Sequence, residues 1–570
     1  MAQMLSRRDF LHRASELTAG LSISGWERAS WPRAPALQAS PSATFLDLIR
    51  PPDTVSVQTT SAAERSLRPA GPNRWEDTGT AVTASLTDGA LRIQLSSPSV
   101  AVRRLRFRWR GRLDGVQLLM GDAWERGYGD FEWRGFVPDR VMPWYFAAFD
   151  GRVTHAYGVH ASAKAFCFWQ ADPQGISLLA DVRSGGAGVE LGGRTLTVCE
   201  IVCRQGHANE SAFAAIHAFC RQMCPHPRLP ANPVYGSNDW YWAYGKNSAE
   251  TVLTDARHIV ELSPAESNRP FAVIDDGWQP ERGPQRSGVG TWDRGNDKFP
   301  DMPGLAGEIR RIGARPGIWI RPLQSPADAP DTWRLPRNRA ILDPTVPEVR
   351  RKVADDITRL RQWGYELIKH DYTTFDLFGR WGSTMGEALT NDGWTFATGP
   401  ARTTAEVIDD LYQTIRSAAG DSLVIGCNTV SHLSAGVFDI CRIGDDTSGR
   451  EWARTRKMGV NTLAFRGAQH DAFYVADADC VGVTTAVPWA LNRQWLDLLA
   501  RSGTMLFVSL APDALGDAER RDLRAALALA ARRQPLGEPL DWQRTAWPSR
   551  WRLMGHEVTY DWMDHAYQPS

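Results

Sequence analysis

Tyr365-Glu366-Leu367-Ile368-Lys369-His370-Asp371 is a short strand pattern that ends on a carboxylate, and it follows the amphipathic run from Val353 to Trp363. Side chains alternate across a strand, so Lys369 and Asp371 share one face while Ile368 and His370 share the other. A cation beside a carboxylate favours its ionised form, which a nucleophilic or charge-stabilising aspartate requires. Taken alone, Lys-x-Asp is more often the pattern of a surface or structural ion pair. The surrounding chain has to decide between the two.

Outward from this strand, residues 231–515 alternate strand and helix patterns. The candidate strands are Val234 to Asn238, Phe271 to Ile274, Arg315 to Ile320, Leu367 to Lys369, Leu423 to Cys427, Ile440 to Ile443, Asn461 to Phe465 and Met505 to Ser509. Helical patterns separate most of them: Ala249 to Leu262, Met302 to Ile312, Val346 to Trp363, Thr404 to Ala419 and Asn492 to Leu499. This succession fits a (β/α)8 TIM barrel. A doubly wound open sheet loses its main support, because no glycine-rich phosphate fingerprint follows the first strand.

Residues 40–230 read instead as an N-terminal antiparallel β-sandwich. Alternation is plain from Ala101 to Trp109, around Thr154 to His160 and from Gly175 to Val182, with glycine and proline turns between. One helix pattern, Ser211 to Met223, precedes a linker marked by Pro225, Pro227, Pro230 and Pro233. Residues 516–570 form a short C-terminal helix and β segment. The chain is therefore multidomain, as its 570 residues lead one to expect.

Sixty-five basic and 65 acidic residues balance, which gives no sign of a nucleic-acid partner. No apolar run reaches the roughly 20 residues of a membrane-spanning helix, so no membrane partner is expected. Ser6-Arg7-Arg8-Asp9-Phe10-Leu11 resembles a twin-arginine export signal, and Ala34-Pro35-Ala36 offers a cleavage site, so residues 1–39 read as a signal peptide and the protein as periplasmic or extracellular. Such signals export folded proteins, and the eight cysteines lack zinc spacing, so most read as buried thiols. The 24 tryptophans exceed what cores usually need, and flat aromatic faces stack on sugar rings.

In a barrel the chemistry lies at the carboxyl ends of the strands. There the sequence delivers Asp275-Asp276-Gly277-Trp278, Gly317-Ile318-Trp319, Lys369 and Asp371, and Arg442-Ile443-Gly444-Asp445-Asp446. The period of two places Arg442 and Asp446 on one side. Carboxylates, tryptophans, a lysine and an arginine converge without a histidine cluster suited to a metal, and no cofactor is implied. That is the inventory of a carbohydrate site.

These motifs, in this order, resemble glycoside hydrolase clan D, and most closely the α-galactosidases of family 36, which also carry a large N-terminal β-sandwich. Asn238-Asp239-Trp240, Ala476-Asp477-Ala478-Asp479-Cys480 and Ser502-Gly503-Thr504-Met505-Leu506 are similar to further family segments. The resemblance covers residues 230–515 well and the sandwich in outline. It implies a retaining α-galactosidase-like hydrolase with Asp371 as nucleophile and Asp446 as general acid/base, acting on an α-galactoside oligosaccharide or glycoconjugate. It further implies that Asp275 and Asp276 hold the sugar's O4 and O6, that Lys369 and Arg442 bind ring hydroxyls, and that Trp319, Trp240 and Cys427 line the sugar pocket. Lys369 is expected to keep Asp371 ionised, and the like charge of Asp445 to raise the proton affinity of Asp446. Asp445 competes with Asp446 for the acid role.

The chain departs from the family pattern at Arg321, where an acidic residue is usual, at Tyr372-Thr373-Thr374, at Gly426-Cys427-Asn428, which lacks a glycine-rich turn, and at Ser237. These departures leave sugar identity and aglycone open. An N-acetylgalactosaminidase, an arabinopyranosidase, an isomaltose-releasing enzyme, a galactosyl transferase and a catalytically silent sugar-binding protein all remain as alternatives. The oligomeric state is not legible.

Overall fold

The computed structural model describes residues 44–59, 63–280, 290–390 and 393–564. The segment that resembles a twin-arginine signal, and the cleavage site expected after it, lie outside them. In the alternating stretch, the strand Arg104–Arg110 buries Leu105, Phe107 and Trp109. Arg104, Arg106 and Arg108 point the other way and pair with Asp181, Glu64 and Asp172. The strand sits inside a six-stranded antiparallel sheet, with Val55 opposite Phe107 on one side and Leu178 opposite Phe107 on the other. A second, eight-stranded antiparallel sheet runs through Ala90–Ser96, Thr195–Arg204, Thr154–Val159 and Tyr145–Phe149. Phe146 of this sheet meets Trp169 of the first with ring centroids 5.9 Å apart, which closes the sandwich around an aromatic core.

The following chain forms the expected barrel. Its strands are Tyr235–Asn238, Phe271–Ile274, Arg315–Ile320, Leu367–His370, Leu423–Gly426 and Ile440–Arg442, then a divided seventh strand, and last Leu506–Leu510. Every pairing among them is parallel. They read as near-continuous apolar runs because helices cover the outer face and neighbouring strands the inner one. The covering helices include Ala249–Leu262, Met302–Ile312, Pro347–Gln362, Thr404–Ala419 and Trp489–Ser502. A capping box at Ser248 starts the first of these, and the Thr403 hydroxyl caps the fourth.

One expected strand is corrected. Asn461 to Phe465 forms a helix, Asn461–Arg466, continuous with Trp452–Thr455 through a π-helical turn at Arg456–Val460. The run is buried on every side, so no periodicity separates strand from helix. Asn461 makes its bonds to Phe131 in the sandwich rather than to a strand neighbour. The seventh strand lies further on and is split. Val475–Asp477 pairs with the sixth strand, and Val481–Val483 pairs with the eighth. Ala478, Asp479 and Cys480 join the two pieces and thereby close the sheet into a barrel.

The C-terminal part is the helix Asp517–Ala530 and a three-stranded antiparallel sheet of Glu538–Pro539, Arg550–Leu553 and His556–Thr559. All eight cysteines are free, and seven are buried. Among the described residues no helix is long and apolar enough to cross a membrane.

Candidate active site

The second barrel strand ends on Asp275, which is buried and fully engaged. Its Oδ2 accepts from Lys369 Nζ at 2.6 Å and from Asn238 Nδ2 at 2.7 Å, and its Oδ1 accepts the Asp276 N–H at 2.8 Å. Asp276 is half-buried and accepts from Gln279 Nε2 at 2.7 Å. Behind them, buried Asp239 accepts the Asp275 N–H at 2.8 Å. Burial, and then repulsion from Asp275, push the Asp239 carboxyl up to about 7. Lys369 therefore does not pair with Asp371 as the sequence reading expects. Asp275 ends the second strand and Lys369 lies on the fourth, with the third strand between them, and the lysine's long stem reaches across the barrel mouth to it.

Asp371 takes two N–H donors in place of a lysine. Trp319 Nε1 donates to its Oδ2 at 2.9 Å and the Tyr372 N–H to its Oδ1 at 2.7 Å. Tyr372 reaches this position with φ at +66°, a region that costs a bulky residue energy and collects at functional sites. The unusual Arg321 lies over the Tyr372 ring, 4.3 Å from its centroid, and forms an ion pair with buried Asp376. It thus braces the residue that presents Asp371. Trp319 itself is buried, with Trp292 and Tyr372 rings 5.9 and 6.4 Å away.

From the end of the sixth strand Arg442 enters the barrel, almost fully buried. It donates to Asp479 Oδ2 at 2.6 Å, Asp446 Oδ1 at 2.9 Å, Tyr241 Oη at 3.2 Å and Cys427 Sγ at 3.5 Å. Asp479 is held in turn by the Tyr241 hydroxyl and by the N–H and hydroxyl of Thr447, at 2.7 and 2.9 Å. Burial and the charge of Asp371 push the Cys427 thiol up. Tyr372 is pushed up to about 12 by burial and by Asp371, with Asp276 and Asp446 adding to the effect. Three of the sequence-selected carboxylates thus act electrostatically on one phenol. Trp240 stands at the end of the first strand, half-buried, with its ring 5.5 Å from that of Tyr244.

Sequence reasoning missed the contribution of the sandwich. The segment Glu125 to Tyr128 leaves the antiparallel sheets and reaches the barrel rim. The Gly127 N–H donates to Ile443 O at 2.8 Å, and the Asp445 N–H donates to Gly127 O at 2.7 Å. Glycine is required at both sides of this contact. A Cβ on Gly127 would strike the Phe131 ring, and one on Gly444 would strike Thr462 Oγ1. Buried Glu125 anchors the segment by accepting from the Gly382 N–H at 2.9 Å, the Tyr128 hydroxyl and the Asn428 amide. Arg126 then lies 2.7 Å from Asp445 and 3.6 Å from Asp446. In the sequence, Gly121 to Asp130 stands out only as a charged, aromatic, glycine-rich break in the alternation.

This arrangement overturns one electrostatic expectation. The like charge of Asp445 does not prevail at Asp446, since Arg126 and Arg454 offset it from 2.7 and 2.9 Å away. Burial acts to raise the Asp446 carboxyl, but Arg442, Arg126, Lys369 and Arg454 outweigh it and draw it down to about 2. Asp446 keeps 37% of its side chain exposed against 14% for Asp445, so it is the more open of the two. Among the described residues no three His, Cys, Asp or Glu side chains form a group that could hold a metal ion.

No family model matches the chain. It is 31% identical over 86 residues to α-galactosidase AgaA of Geobacillus stearothermophilus, and 26% identical over 203 residues to the bifunctional α-galactosidase/sucrose kinase AgaSK of Mediterraneibacter gnavus. These matches cover 15% and 32% of this chain but only 11% and 21% of those two proteins. Among solved structures, the α-galactosidase TtGalA of Thermus thermophilus has a TM-score of 0.57 at 18% identity, covering 88% of this chain and 98% of that one. Family 36 AgaA in complex with stachyose has a TM-score of 0.54 at 16% identity, covering 79% and 67%. The shared architecture is that of family 36 α-galactosidase structures, a β-sandwich followed by a (β/α)8 barrel.

Proposed function

We propose that this chain is a retaining glycoside hydrolase that removes terminal α-galactosyl residues, with Asp371 as nucleophile and Asp446 as general acid/base. The observation that carries the reading is the placing of these two aspartates. Asp371 is presented on the fourth strand by two N–H donors, and Asp446 stands half-open beyond the sixth. One strand separates the fourth strand from the sixth, a spacing of about 10 Å between the backbones from which the two loops spring. Two inward-leaning aspartates can close that spacing to the roughly 5–5.5 Å of a double displacement. Asp371 attacks the anomeric carbon as the bond to the leaving oxygen breaks, and Asp446, in the form that carries a proton, gives that oxygen its proton. Asp446 then takes a proton from water, which releases the sugar from Asp371 with its configuration kept.

The remaining polar groups fit the sugar. Asp275 and Asp276 are assigned to O4 and O6, Lys369 and Arg442 to ring hydroxyls, and Trp319 to the pocket floor. The similar structures from T. thermophilus and G. stearothermophilus are complexes with p-nitrophenyl α-D-galactopyranoside, stachyose and raffinose, which supports an α-galactoside as the carbohydrate bound. The test is hydrolysis of aryl α-galactosides followed by NMR, with α-galactose expected as the first product. Asp371→Gly with azide is expected to yield β-galactosyl azide. Undiminished turnover in Asp371→Ala excludes the mechanism.

The export reading is also a proposal, supported by Ser6-Arg7-Arg8-Asp9-Phe10-Leu11. Replacing both arginines by lysine is expected to hold the protein in the cytoplasm, and an unaltered distribution on fractionation overturns it.

A further inference from the structure

Four cations bear on Asp446, and each is shared with another carboxylate. Arg442, 2.9 Å away, is shared with Asp479 at 2.6 Å; Lys369 is bound to Asp275; and Arg454 is bound to Asp445 from a partly exposed position. Arg126 differs in origin. It comes from the sandwich, is 6% exposed, and divides its guanidinium between Asp445 and Asp446, while its Nε–H is buried without an acceptor. Its guanidinium carbon lies 5.3 Å from the Trp381 ring centroid and 5.8 Å from that of Tyr128, two half-buried aromatics. The Gly127–Ile443 and Asp445–Gly127 backbone bonds fix its root against the loop that carries Asp446.

We propose that Arg126 is a positioning residue for Asp446, through which the sandwich governs how a proton is supplied to the departing group. The inference rests on the hydrolase reading above and deepens it. The arginine holds Asp445 aside and approaches the same Asp446 oxygen, Oδ1, that Arg442 holds. Its positive charge also favours the carboxylate over the carboxylic acid. The other titratable groups facing Asp446 are Asp445 on its own loop, Tyr241 and Asp479 across Arg442, and Tyr372 from the fourth strand. Substrates whose leaving oxygen needs a proton feel this control. Those whose leaving group departs as a stable anion do not.

The experiment compares methyl α-galactoside with 2,4-dinitrophenyl α-galactoside in the full-length wild-type protein and three variants, reading kcat/KM against pH. On the methyl substrate wild type is expected to lose rate as pH rises through the acid range, since ionised Asp446 cannot protonate the alkoxide. Arg126→Gln moves this limb upward by about one to three pH units, and Arg126→Lys leaves it near the wild-type position. Asp445→Asn, which frees Arg126 for Asp446 and removes a like charge, moves it downward. The dinitrophenyl substrate shows no such limb in any of them. A limb that stays in place while both substrates lose rate in equal proportion overturns the inference and leaves Arg126 as a tie between sandwich and barrel. If Arg126→Gln fails to fold, the opposite shift in Asp445→Asn still decides. Asp446→Ala separates the two layers: equal losses on both substrates reject the acid/base assignment itself, and the role of Arg126 with it.

Discussion

Replacing Trp319 by Phe removes a single N–H from Asp371 Oδ2 while leaving an aromatic ring between Trp292 and Tyr372. The bond is 2.9 Å long and its acceptor is a carboxylate, so its loss is worth about 1.5–3 kcal/mol. If that free energy is expressed in the transition state, where the oxygen must point at the anomeric carbon, kcat/KM falls roughly 10- to 150-fold. The Tyr372 N–H remains on the other oxygen, so the loss stays well short of that from deleting the carboxylate. The assay is kcat/KM on p-nitrophenyl α-galactoside, with thermal unfolding to check that the smaller ring has not loosened the site. The backbone carbonyl of Trp319 still accepts from Trp278 Nε1, which should keep the third strand in place. A variant that folds like wild type and keeps its rate within about threefold refutes the reasoning, because Asp371 would then be oriented by something other than this indole.

Three further outcomes follow from the same network. Lys369→Met leaves buried Asp275 without its cation and is expected to cost about 3–5 kcal/mol in denaturant unfolding; the double variant with Asp275→Asn should recover much of that stability but none of the activity. Burial holds His370 and His432 neutral, with protonation depressed to about 3, whereas the unfolded chain takes up protons near pH 6.5. Stability should therefore be full above about pH 6.5 and fall as pH drops below it, by about 1.4 kcal/mol per unit for each histidine; His432→Gln should lessen that slope in urea melts at pH 7 and pH 5, and an unchanged slope counts against it. Asn428→Ala removes bonds to the Phe375 N–H and to Glu125 and leaves Glu125 under-satisfied, so a loss of about 1–3 kcal/mol is expected in the same melts.

The barrel was legible because its strands are short apolar runs punctuated by amphipathic helices, and its mouth because charged residues stand directly at the strand ends. Asp275, Asp276, Lys369, Asp371, Arg442 and Asp446 could all be selected on that basis. What they bond to could not. The partner of Lys369 comes from the second strand, across the intervening third, and local alternation does not carry that information. The seventh strand was misplaced because its real pieces are three residues each and interrupted by Asp479, whose φ is +76°. The buried helix Asn461–Arg466 resembled a strand better than they did. Arg126 was invisible for a different reason. Its neighbours in the chain belong to the sandwich, and only the close passage of Gly127 past Gly444 delivers it to the carboxylates.

That passage has a consequence for how such a molecule can be divided. Two glycines and two peptide hydrogen bonds weld the rim of one folding layer to the loop of another, so the surroundings of Asp446 are jointly owned. A barrel excised at the proline linker would keep every motif by which it was recognised, yet the loop after its sixth strand would be left without its outer wall. Grafting experiments that aim to exchange sugar preference between relatives should therefore move Glu125 to Tyr128 together with the barrel.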